Sequence, residues 1–404
     1  MRTILYDHAG HPFQVQLSRE LARRGHTVFH GYTAGVTTPR GKLLPQDDDP
    51  ETFSVEGISI GDSFSRYSLL KRFFNERALG KGIVERVEAF RPDVVVSANT
   101  PLETQRILQK SCRKQDVGFV FWVQDLLSVG IESALRQKIP FVGGLIGKYF
   151  QHLEYSLLRR SDRVVVITED FCPIMDEAGV ETDRVHVVQN WAPLEDMPVR
   201  PKQNEWSRER GLDDKFCFVY SGTLGMKHNP DHLVRLASEF EGADDVRVDV
   251  VSEGLGADYL RDKKEEFDLK NLILSRFQPF EDLPDVLGTA DVVMGVLEPE
   301  AGVFSVPSKV LTYLCTGRPI LLAMPPENLT SRIVSENEAG LVVPPDDSEG
   351  FVDAARRLYD DGELRKEMGE NARDYAETHF DIRKIGARFE RIVEEAAGAA
   401  LDGG

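Results

Sequence analysis

The chain has 404 residues, of which 41% are hydrophobic and 29% charged, and its formal net charge at pH 7 is −18. This composition excludes an intrinsically disordered chain, and the length predicts two or three domains because one hydrophobic core does not grow that large. Residues 1–190 contain 24 basic and 24 acidic residues, so the remainder carries the whole negative charge. An acidic chain argues against general nucleic-acid binding, whereas a neutral first half can approach an anionic lipid surface.

The N-terminus, MRTILYDHAGHPF, enters a strand pattern directly and has no apolar leader segment. Cys112, Cys172, Cys217 and Cys315 are widely spaced, and each lies among apolar residues. This pattern predicts reduced, structural thiols, and it predicts neither a disulfide framework nor a metal site. Together these features predict a cytoplasmic protein.

Apolar, β-branched runs alternate with helical patterns along the chain. The runs of the first half are RTILY, TVFHGY, DVVVSAN, GFVFWVQ, RVVVIT and RVHVVQN. Residues 190–212, rich in Pro, Trp and charge, are predicted to be a linker, after which the runs are FCFVYSG, VRVDVVS, NLILS, DVVMGVL, RPILLAM and AGLVVP. Continuous apolar runs are typical of parallel strands covered by helices on both faces. The predicted fold class is therefore α/β, with two Rossmann-like, doubly wound parallel-sheet domains facing a central cleft.

Ligands of open parallel sheets bind beyond the carboxyl ends of the strands, and one loop there combines glycine with lysine. In VYSGTLGMKHNPDHL, Gly222 and Gly225 permit close backbone approach, and Lys227 stands just before a predicted helix, whose N-terminus favours an anion. The stretch matches neither the Walker loop nor the dinucleotide fingerprint. The alternative is a turn with a surface lysine.

A second loop leads into a helix in FSVPSKVLTYLCTGRPIL, residues 304–321. Its apolar residues recur at helical spacing, Pro307 falls in the predicted first turn, and Gly317 with Pro319 ends the helix. The opposite face is a polar stripe of Ser305, Ser308, Lys309 and Thr312. Two helix starts suited to anions in one domain predict a diphosphate ligand.

The order of these motifs resembles that of a GT-B glycosyltransferase of family 4, the retaining nucleotide-sugar enzymes, and most closely the bacterial capsule, O-antigen and L-fucosamine transferases. The resemblance runs from GHPFQVQLSRELARRGHTVFH through SDRVVVITED, YSGTLGMKHNPDHL and PSKVLTYLCTGRPILLA to THFDIRKIGARFERIVEEAAG. It implies an acceptor-binding domain in 1–195, a nucleotide-sugar-binding domain in 196–380, and a helix in 381–404 that crosses back to the first domain. The implied activity is transfer of a hexosyl or N-acetylhexosaminyl group, with a UDP-sugar favoured as donor, to a glycan or lipid-linked acceptor.

The resemblance also implies site residues. The catalytic candidates are Lys227, Glu300, Asp125 and His8. The donor site would comprise Gly222, Thr223, Lys227, Glu253, Arg276, Phe277, Glu298, Glu300, Phe304, Ser305, Val306, Ser308 and Thr312. Acceptor binding would fall to Gly10, Asn99, Gln124 and Asp125. In this family the leaving phosphate itself can take the acceptor's proton, so no dedicated base is required.

Several positions depart from the family pattern. Thr312 stands where a ribose-binding glutamate is usual, Thr223 where an arginine is common, and Gln124 where a histidine often stands. Either Glu298 or Glu300 would contact the donor sugar. No cofactor or metal is expected, since QDDDP (46–50) has the pattern of a solvated turn. His8 would orient the acceptor or support its loop, whereas His11 is expected to cap or pack against the following helix.

The segment 65–87 places Phe73 and Phe74 beside Lys71, Arg72 and Arg77. A core helix with a basic outer face explains this pattern, and so does peripheral docking at the inner face of the membrane. Two other functions share such a fold: a non-hydrolysing nucleotide-sugar epimerase, and a catalytically silent subunit that binds a sugar nucleotide.

Overall fold

The computed structural model describes residues 1–35, 41–59, 69–129, 131, 140–297 and 306–402. The chain divides into two compact units. The first unit comprises Met1–Gln189 together with the chain from Ile382 onward, and the second unit comprises Asn190–Asp381. No helix among the described residues is both long enough and apolar enough to span a bilayer.

The first unit is built on a seven-stranded sheet in which all neighbouring strands run parallel. Its strands are β1 (Arg2–Asp7), β2 (Thr27–Thr33), β3 (Phe53–Ile58), β4 (Val94–Ala98), β5 (Gly118–Val123), β6 (Arg163–Val166) and β7 (Val185–Val187). Their spatial order is β3-β2-β1-β4-β5-β6-β7. The order reverses between β1 and β4, which makes their carboxyl ends the topological switch point of this sheet.

Helices cover the first sheet. They are α1 (Pro12–Arg23), α2 (Leu69–Phe90), α3 (Leu102–Lys114), α4 (Pro140–Arg159), α5 (Cys172–Ala178) and, from the end of the chain, α14 (Ile382–Asp402). The last of these packs on β5 and α1: the rings of Phe389 and Trp122 lie 4.6 Å apart, and Glu390 pairs with Arg24 at 2.8 Å. The C-terminal helix is thus part of the core of the first unit.

The second unit repeats the architecture with six parallel strands. They are β8 (Phe216–Ser221), β9 (Val246–Val251), β10 (Leu272–Ser275), β11 (Val292–Val296), β12 (Ile320–Ala323) and β13 (Gly340–Val343), in the order β10-β9-β8-β11-β12-β13. The helices are α6 (Glu205–Glu209), α7 (Asp231–Glu239), α8 (Leu255–Glu266), α9 (Leu283–Gly288), α10 (Ser308–Leu314), α11 (Leu329–Glu336), α12 (Ser348–Asp360) and α13 (Gly362–His379). Here the switch point lies between β8 and β11.

The predicted α/β class and the predicted strands are confirmed, and one strand was missed. That strand, β3, is an edge strand whose residues are mostly only part-buried. Its sequence FSVEGI includes Glu56 and Gly57, so it lacks the continuous apolar run of the inner strands.

Residues 190–212, which the sequence predicted to be a linker, belong to the second unit. The stretch contains a 3₁₀ turn at Leu194–Asp196 and the short helix α6. Trp191 and Trp206 are 1% and 6% exposed. Asn204 and Ser207 form a reciprocal capping box at the start of α6. Burial of two indole rings gives this stretch a place in the second unit, and its Pro and charge content concealed that role.

Helix α10 begins at Ser308, so Pro307 directly precedes the helix instead of lying in its predicted first turn. Pro307 has φ −65°, the value that proline fixes and that the start of a helix accepts. The helix ends before Gly317, whose φ of +67° suits glycine, and β12 follows at Ile320.

Candidate functional site

The switch point of the second sheet brings a glycine loop to the carboxyl end of β8. Gly222 has φ +139°, a conformation that a side chain would strain, and its N–H donates to the Val251 carbonyl at 3.1 Å. The Leu224 N–H donates to the Glu253 carbonyl at 3.3 Å, which ties this loop to the one that follows β9. The predicted donor residues Gly222, Thr223 and Glu253 therefore lie together at one edge of the sheet.

Two side chains of α10 hold the same loop. The Tyr313 hydroxyl donates to the Ser221 carbonyl at 2.8 Å and accepts from the Ser221 N–H at 3.0 Å. The Lys309 ammonium lies 4.2 Å from the centre of the Tyr220 ring, hydrogen-bonds the Tyr220 hydroxyl, and donates to the Thr223 carbonyl at 3.1 Å. These contacts fix the glycine loop to the helix that the sequence predicted to bind the donor.

Lys309 and Tyr313 were missed as site residues. Lys309 was noticed only as part of the polar stripe, and Tyr313 falls on the buried face, where an aromatic residue is expected for packing alone. A Cβ on Gly222 would lie 3.0 Å from Lys309 Cε, so the lysine fills the space that this glycine leaves open. The Gly222–Lys309 pairing could not be read from spacing along the chain, because the two residues belong to different βα units.

The remaining donor candidates divide into described and undescribed residues. Arg276 and Phe277 follow β10 at the same carboxyl edge, with Arg276 exposed. Ser308 is exposed, and the Thr312 hydroxyl donates to the Ser308 carbonyl at 3.4 Å, while Val306 is part-buried just before Pro307. Glu298, Glu300, Phe304 and Ser305 lie outside the described residues.

Lys227 lies in a 3₁₀ turn, Met226–His228, and only its backbone is described. Helix α7 begins later, at Asp231, and carries that acidic residue in its first turn. The prediction placed an anion-binding helix start immediately after Lys227. In the structure the Asp231 carboxylate, which accepts from the Tyr259 hydroxyl at 2.5 Å, already lies near the positive end of the helix dipole.

The switch point of the first sheet contains a buried carboxylate. Asp7, the last residue of β1, is fully buried and accepts from the Ala9 N–H at 3.0 Å, from the His11 N–H, and from His11 Nδ1 at 3.2 Å. With its amide oriented to donate, Gln14 Nε2 lies 3.0 and 2.9 Å from the two carboxylate oxygens. Asp7 is therefore a buried anion whose acceptor positions are filled.

Asp7 and His11 shift each other's pKa in opposite directions. Burial raises the pKa of the Asp7 carboxyl, but the charge and hydrogen bonds of His11 outweigh burial and hold this pKa below its usual value. Burial lowers the pKa of the His11 imidazole, but the charges of Asp7 and Asp125 and the hydrogen bond to Asp7 raise it above its usual value. His11 precedes α1 without capping it, and its ring packs against Phe13 at 5.4 Å. The His11 ring therefore partners Asp7, a contact that the sequence interpretation missed.

The predicted acceptor residues occupy the same edge as Asp7. His8 and Gly10 follow β1, Asn99 follows β4, and Gln124 and Asp125 follow β5. The His8 Nδ1 lies 2.9 Å from the Thr33 hydroxyl, which bonds the buried Tyr6 hydroxyl at 2.6 Å. Adjacent strands of a parallel sheet end at one edge, so these five residues converge, and His11 joins them.

The four thiols are free; three are buried and Cys172 is part-buried. Within the described residues, one group could offer three ligand atoms to a metal ion: His26, Glu390 and Glu394. It lies at the amino end of β2, at the opposite edge of the first sheet from His8 and His11, and Glu390 is already paired with Arg24 and His26.

Two family models match the chain. "Glycosyl transferase 4-like domain" covers residues 11–191, and "Glycosyl transferases group 1" covers residues 202–375. An alpha-D-kanosaminyltransferase of Streptomyces kanamyceticus is 23% identical over 379 residues, which cover 90% of either chain.

The fold resembles that of many solved structures, two of which illustrate the likeness. A sucrose-phosphate synthase of Thermosynechococcus elongatus has a TM-score of 0.76 at 14% identity and covers 99% of this chain and 100% of its own. The Anabaena protein HepE, solved in complex with UDP and glucose, has a TM-score of 0.73 at 15% identity and covers 98% of this chain and 99% of its own.

Proposed function

The chain belongs to the group 1 glycosyltransferases of GT-B fold, and from that premise we propose a retaining transfer of a hexosyl or N-acetylhexosaminyl group from a nucleotide diphosphate sugar. UDP is the favoured nucleotide, and the acceptor is a glycan or a lipid-linked glycan of a cell-surface polysaccharide. In the reaction the bond from the anomeric carbon to the diphosphate breaks and a bond to the acceptor oxygen forms. The acceptor's proton passes to the leaving diphosphate.

The observation that carries the donor assignment is the attachment of the glycine loop to α10. Lys309 and Tyr313 reach across the switch point from α10 to hold Tyr220, Ser221 and Thr223 in place. A preorganised loop with a nearby ammonium group is suited to a diphosphate, and costs no reorganisation as charge develops on the leaving group. Lys227 would supply a second positive charge, and Glu298 or Glu300 would contact the sugar.

In the first unit, the acceptor would bind at the edge of the sheet that contains Asp7, His8, His11 and Asp125. His11, whose pKa Asp7 raises, would donate a hydrogen bond to a polar group of the acceptor. Asp125 and His8 would orient the attacking hydroxyl. No step requires a metal ion.

The test is a transfer assay that follows a thermal-shift screen over UDP-, GDP-, ADP- and dTDP-sugars. Release of the nucleotide diphosphate only with acceptor present, unaffected by a chelator, with an α-linked product from an α-linked donor, supports the proposal. Lys227→Ala should lower kcat/KM by about a hundredfold or more, because an ammonium beside the diphosphate would act mainly on the transition state, while Lys270→Ala, an exposed lysine, should not. Interconversion of sugar nucleotides without acceptor would instead indicate an epimerase, and binding without turnover a silent subunit.

Peripheral membrane contact is part of this proposal. Phe74 is 65% exposed, and the guanidinium of Arg77 lies 5.4 Å from the Phe73 ring centre, so aromatic and basic groups adjoin on α2. The opposite face of α2 is core, with Leu79, Ile83 and Val87 buried. Replacing Lys71, Arg72, Phe73 and Phe74 together should weaken flotation with anionic vesicles, most at low salt. Equal flotation of variant and parent would reject the contact.

A further inference from the structure

The first unit contains a cavity of about 700 Å³ between α2, α3 and α4. Six cationic side chains line it: Arg77, Arg106, Lys110, Arg113, Lys114 and Arg160. The volume is within the range of small-molecule sites, roughly 300–1,000 Å³. No part of the proposed transfer uses this cavity.

The sequence produces the cavity's charge through helical spacing. On α3, the positions 106, 110, 113 and 114 recur three and four residues apart, so their side chains share one face. Arg77 comes from α2, and Arg160 directly follows the end of α4. Like charges three and four residues apart destabilise a helix, so the four basic residues of α3 lower its stability, and packing of the helix does not require them.

Few of these charges are neutralised. Arg106 pairs with Glu103 at 2.7 Å, and Arg113 interacts with Asp162. In the part of the chain that the structure describes, no carboxylate lies within ion-pair distance of Lys110, Lys114 or Arg160. Residues 1–190 contain as many acidic as basic residues, so this local excess of positive charge is a feature of the cavity and not of the surrounding chain.

The floor of the cavity is apolar. Leu153 and Leu157 are 8% and 3% exposed, and Ile107 is part-buried beside them. The Gln109 amide, also at the floor, is engaged: its Nε2 donates to the Leu157 carbonyl at 2.9 Å and to the Ser161 hydroxyl at 3.0 Å. A ligand would therefore meet cations at the rim and hydrocarbon below.

The cavity lies apart from the acceptor edge. Helix α3 ends at Lys114 and α4 at Arg159, shortly before β5 and β6 begin at Gly118 and Arg163. Arg113, Lys114 and Arg160 therefore lie toward the amino edge of the sheet, whereas His8, Asn99 and Asp125 follow the carboxyl ends of their strands.

We propose that this cavity binds a ligand that carries clustered phosphate groups. Arginine forks match phosphate oxygens in bidentate fashion, and lysines add point charges. From Arg106 to Lys114 the helix rises about 12 Å at 1.5 Å per residue, which is too long for one phosphate and suits several. The apolar floor accommodates the part of the ligand that adjoins the phosphates. The source is either a soluble polyphosphate compound or the headgroups of anionic lipid.

The test compares two variants of equal charge. The cavity variant carries Lys110→Gln, Lys114→Gln and Arg160→Gln, and the control carries Lys270→Gln, Lys366→Gln and Lys384→Gln, three exposed lysines that do not line the cavity. A conservative variant, Lys110→Arg with Lys114→Arg, retains the charge. Each full-length protein is exposed to inorganic tripolyphosphate, or to vesicles of phosphatidylcholine with phosphatidylglycerol, and hydrogen exchange is followed over 102–114 and 153–160.

Slower exchange of these two segments with tripolyphosphate assigns a soluble ligand, and slower exchange only with the anionic vesicles assigns a lipid headgroup. In both cases the apparent affinity should fall about tenfold or more in the cavity variant, and less than about twofold in the control and the conservative variant. If neither probe slows exchange there, or if the control loses as much affinity as the cavity variant, the proposal is wrong. The readout does not involve sugar transfer, so it stands apart from the donor assignment.

Discussion

Each of the two units has a buried aspartate in a parallel strand, and the two carboxyl groups differ in their hydrogen bonding and in the direction of their pKa shift. Asp7 receives hydrogen bonds from two backbone N–H groups and from His11, which keep its pKa below the usual value. Asp249, in β9, has no hydrogen-bond partner on either oxygen among the described residues, and burial raises its pKa to about 7, offset in part by Arg210. The same residue type in the same fold is an anion in one sheet and is neutral below about pH 7 in the other.

The difference lies in position along the strand. Asp7 is the last residue of β1, where the chain turns and offers free N–H groups, whereas Asp249 lies within β9, where the ladder already uses them. A carboxylate at a strand end can therefore be hydrogen-bonded by the turn that follows the strand, and at this switch point it also binds the His11 ring. A carboxylate within a strand, such as that of Asp249, has no free N–H groups beside it. At the carboxyl edge of the second sheet, Lys309 and Tyr313 make the polar contacts instead.

The largest expected effect concerns Asp249. The pKa of Asp249 is about 7 in the folded state and 3.8 in the unfolded state. Between these two pH values the folded state retains the proton that the unfolded state has lost, so the free energy of unfolding falls as the pH rises from 3.8 to about 7. The complete loss is about 4 kcal/mol at about 1.4 kcal/mol per pH unit. Asp249→Asn should be more stable than the parent at pH 8 and lose this advantage toward pH 4. Urea unfolding across pH is the measurement, and a pH-independent difference would contradict the neutral buried acid.

Asp7→Ala tests the other aspartate of the comparison, because it removes a carboxylate that is fully hydrogen-bonded. It leaves two N–H groups and an imidazole without their acceptor, so we expect a loss of about 3 kcal/mol in the free energy of unfolding near pH 6. Asp7→Asn, which retains one acceptor oxygen, should lose less.

The pH dependence of Asp7→Ala provides its control. The stability from the raised pKa of His11 is complete below the unfolded value of 6.5 and declines as pH rises through the folded value. The stability from the lowered pKa of Asp7 is present above 3.8 and declines as pH falls through its folded value. The difference between parent and Asp7→Ala should therefore be largest between these limits. A difference that is flat from pH 3 to pH 9 would count against the ion pair.

Lys309→Met tests whether the second switch point depends on its lysine. The substitution removes the ammonium that bonds Tyr220 and Thr223, so affinity for the preferred nucleotide diphosphate should fall about tenfold, as expected for one charged hydrogen bond. Calorimetric titration is the measurement, with Lys366→Met on the exposed face of α13 as control. Unchanged affinity in Lys309→Met would show that the contact between Lys309 and the glycine loop does not contribute to donor binding.

The smallest effect is expected at Thr312. Its hydroxyl already donates to the Ser308 carbonyl and can still accept a bond from a ribose hydroxyl, so Thr312→Val should weaken the nucleotide by a few-fold only. Thr312→Glu, which restores the family's carboxylate, should tighten it by a few-fold to about tenfold. If Thr312→Val binds as tightly as the parent, the ribose is held elsewhere.

Much of the fold was predictable because the inner strands are buried on both faces and therefore appear as continuous apolar runs. The edge strand β3 was not, since half-burial leaves a mixed sequence. For the site, Gly222 and Asp125 could be placed at strand ends from pattern alone. Lys309 and His11 could not, because their partners, Tyr220 and Asp7, are recognised only when the burial of a hydroxyl or a carboxylate is known.

The position of α14 has a consequence for synthesis on the ribosome. The second unit is continuous in sequence, from Asn190 to Asp381, whereas the first unit lacks α14 until the last residues emerge. Gly118 leaves the Ala396 carbonyl only 2.5 Å from where a Cβ would stand, and Phe389 covers Trp122, so β5 has no cover on that side before α14 arrives. Because α14 follows the second unit in the chain, we expect the second unit to be able to fold before the first unit receives α14, although N-terminal domains usually fold first.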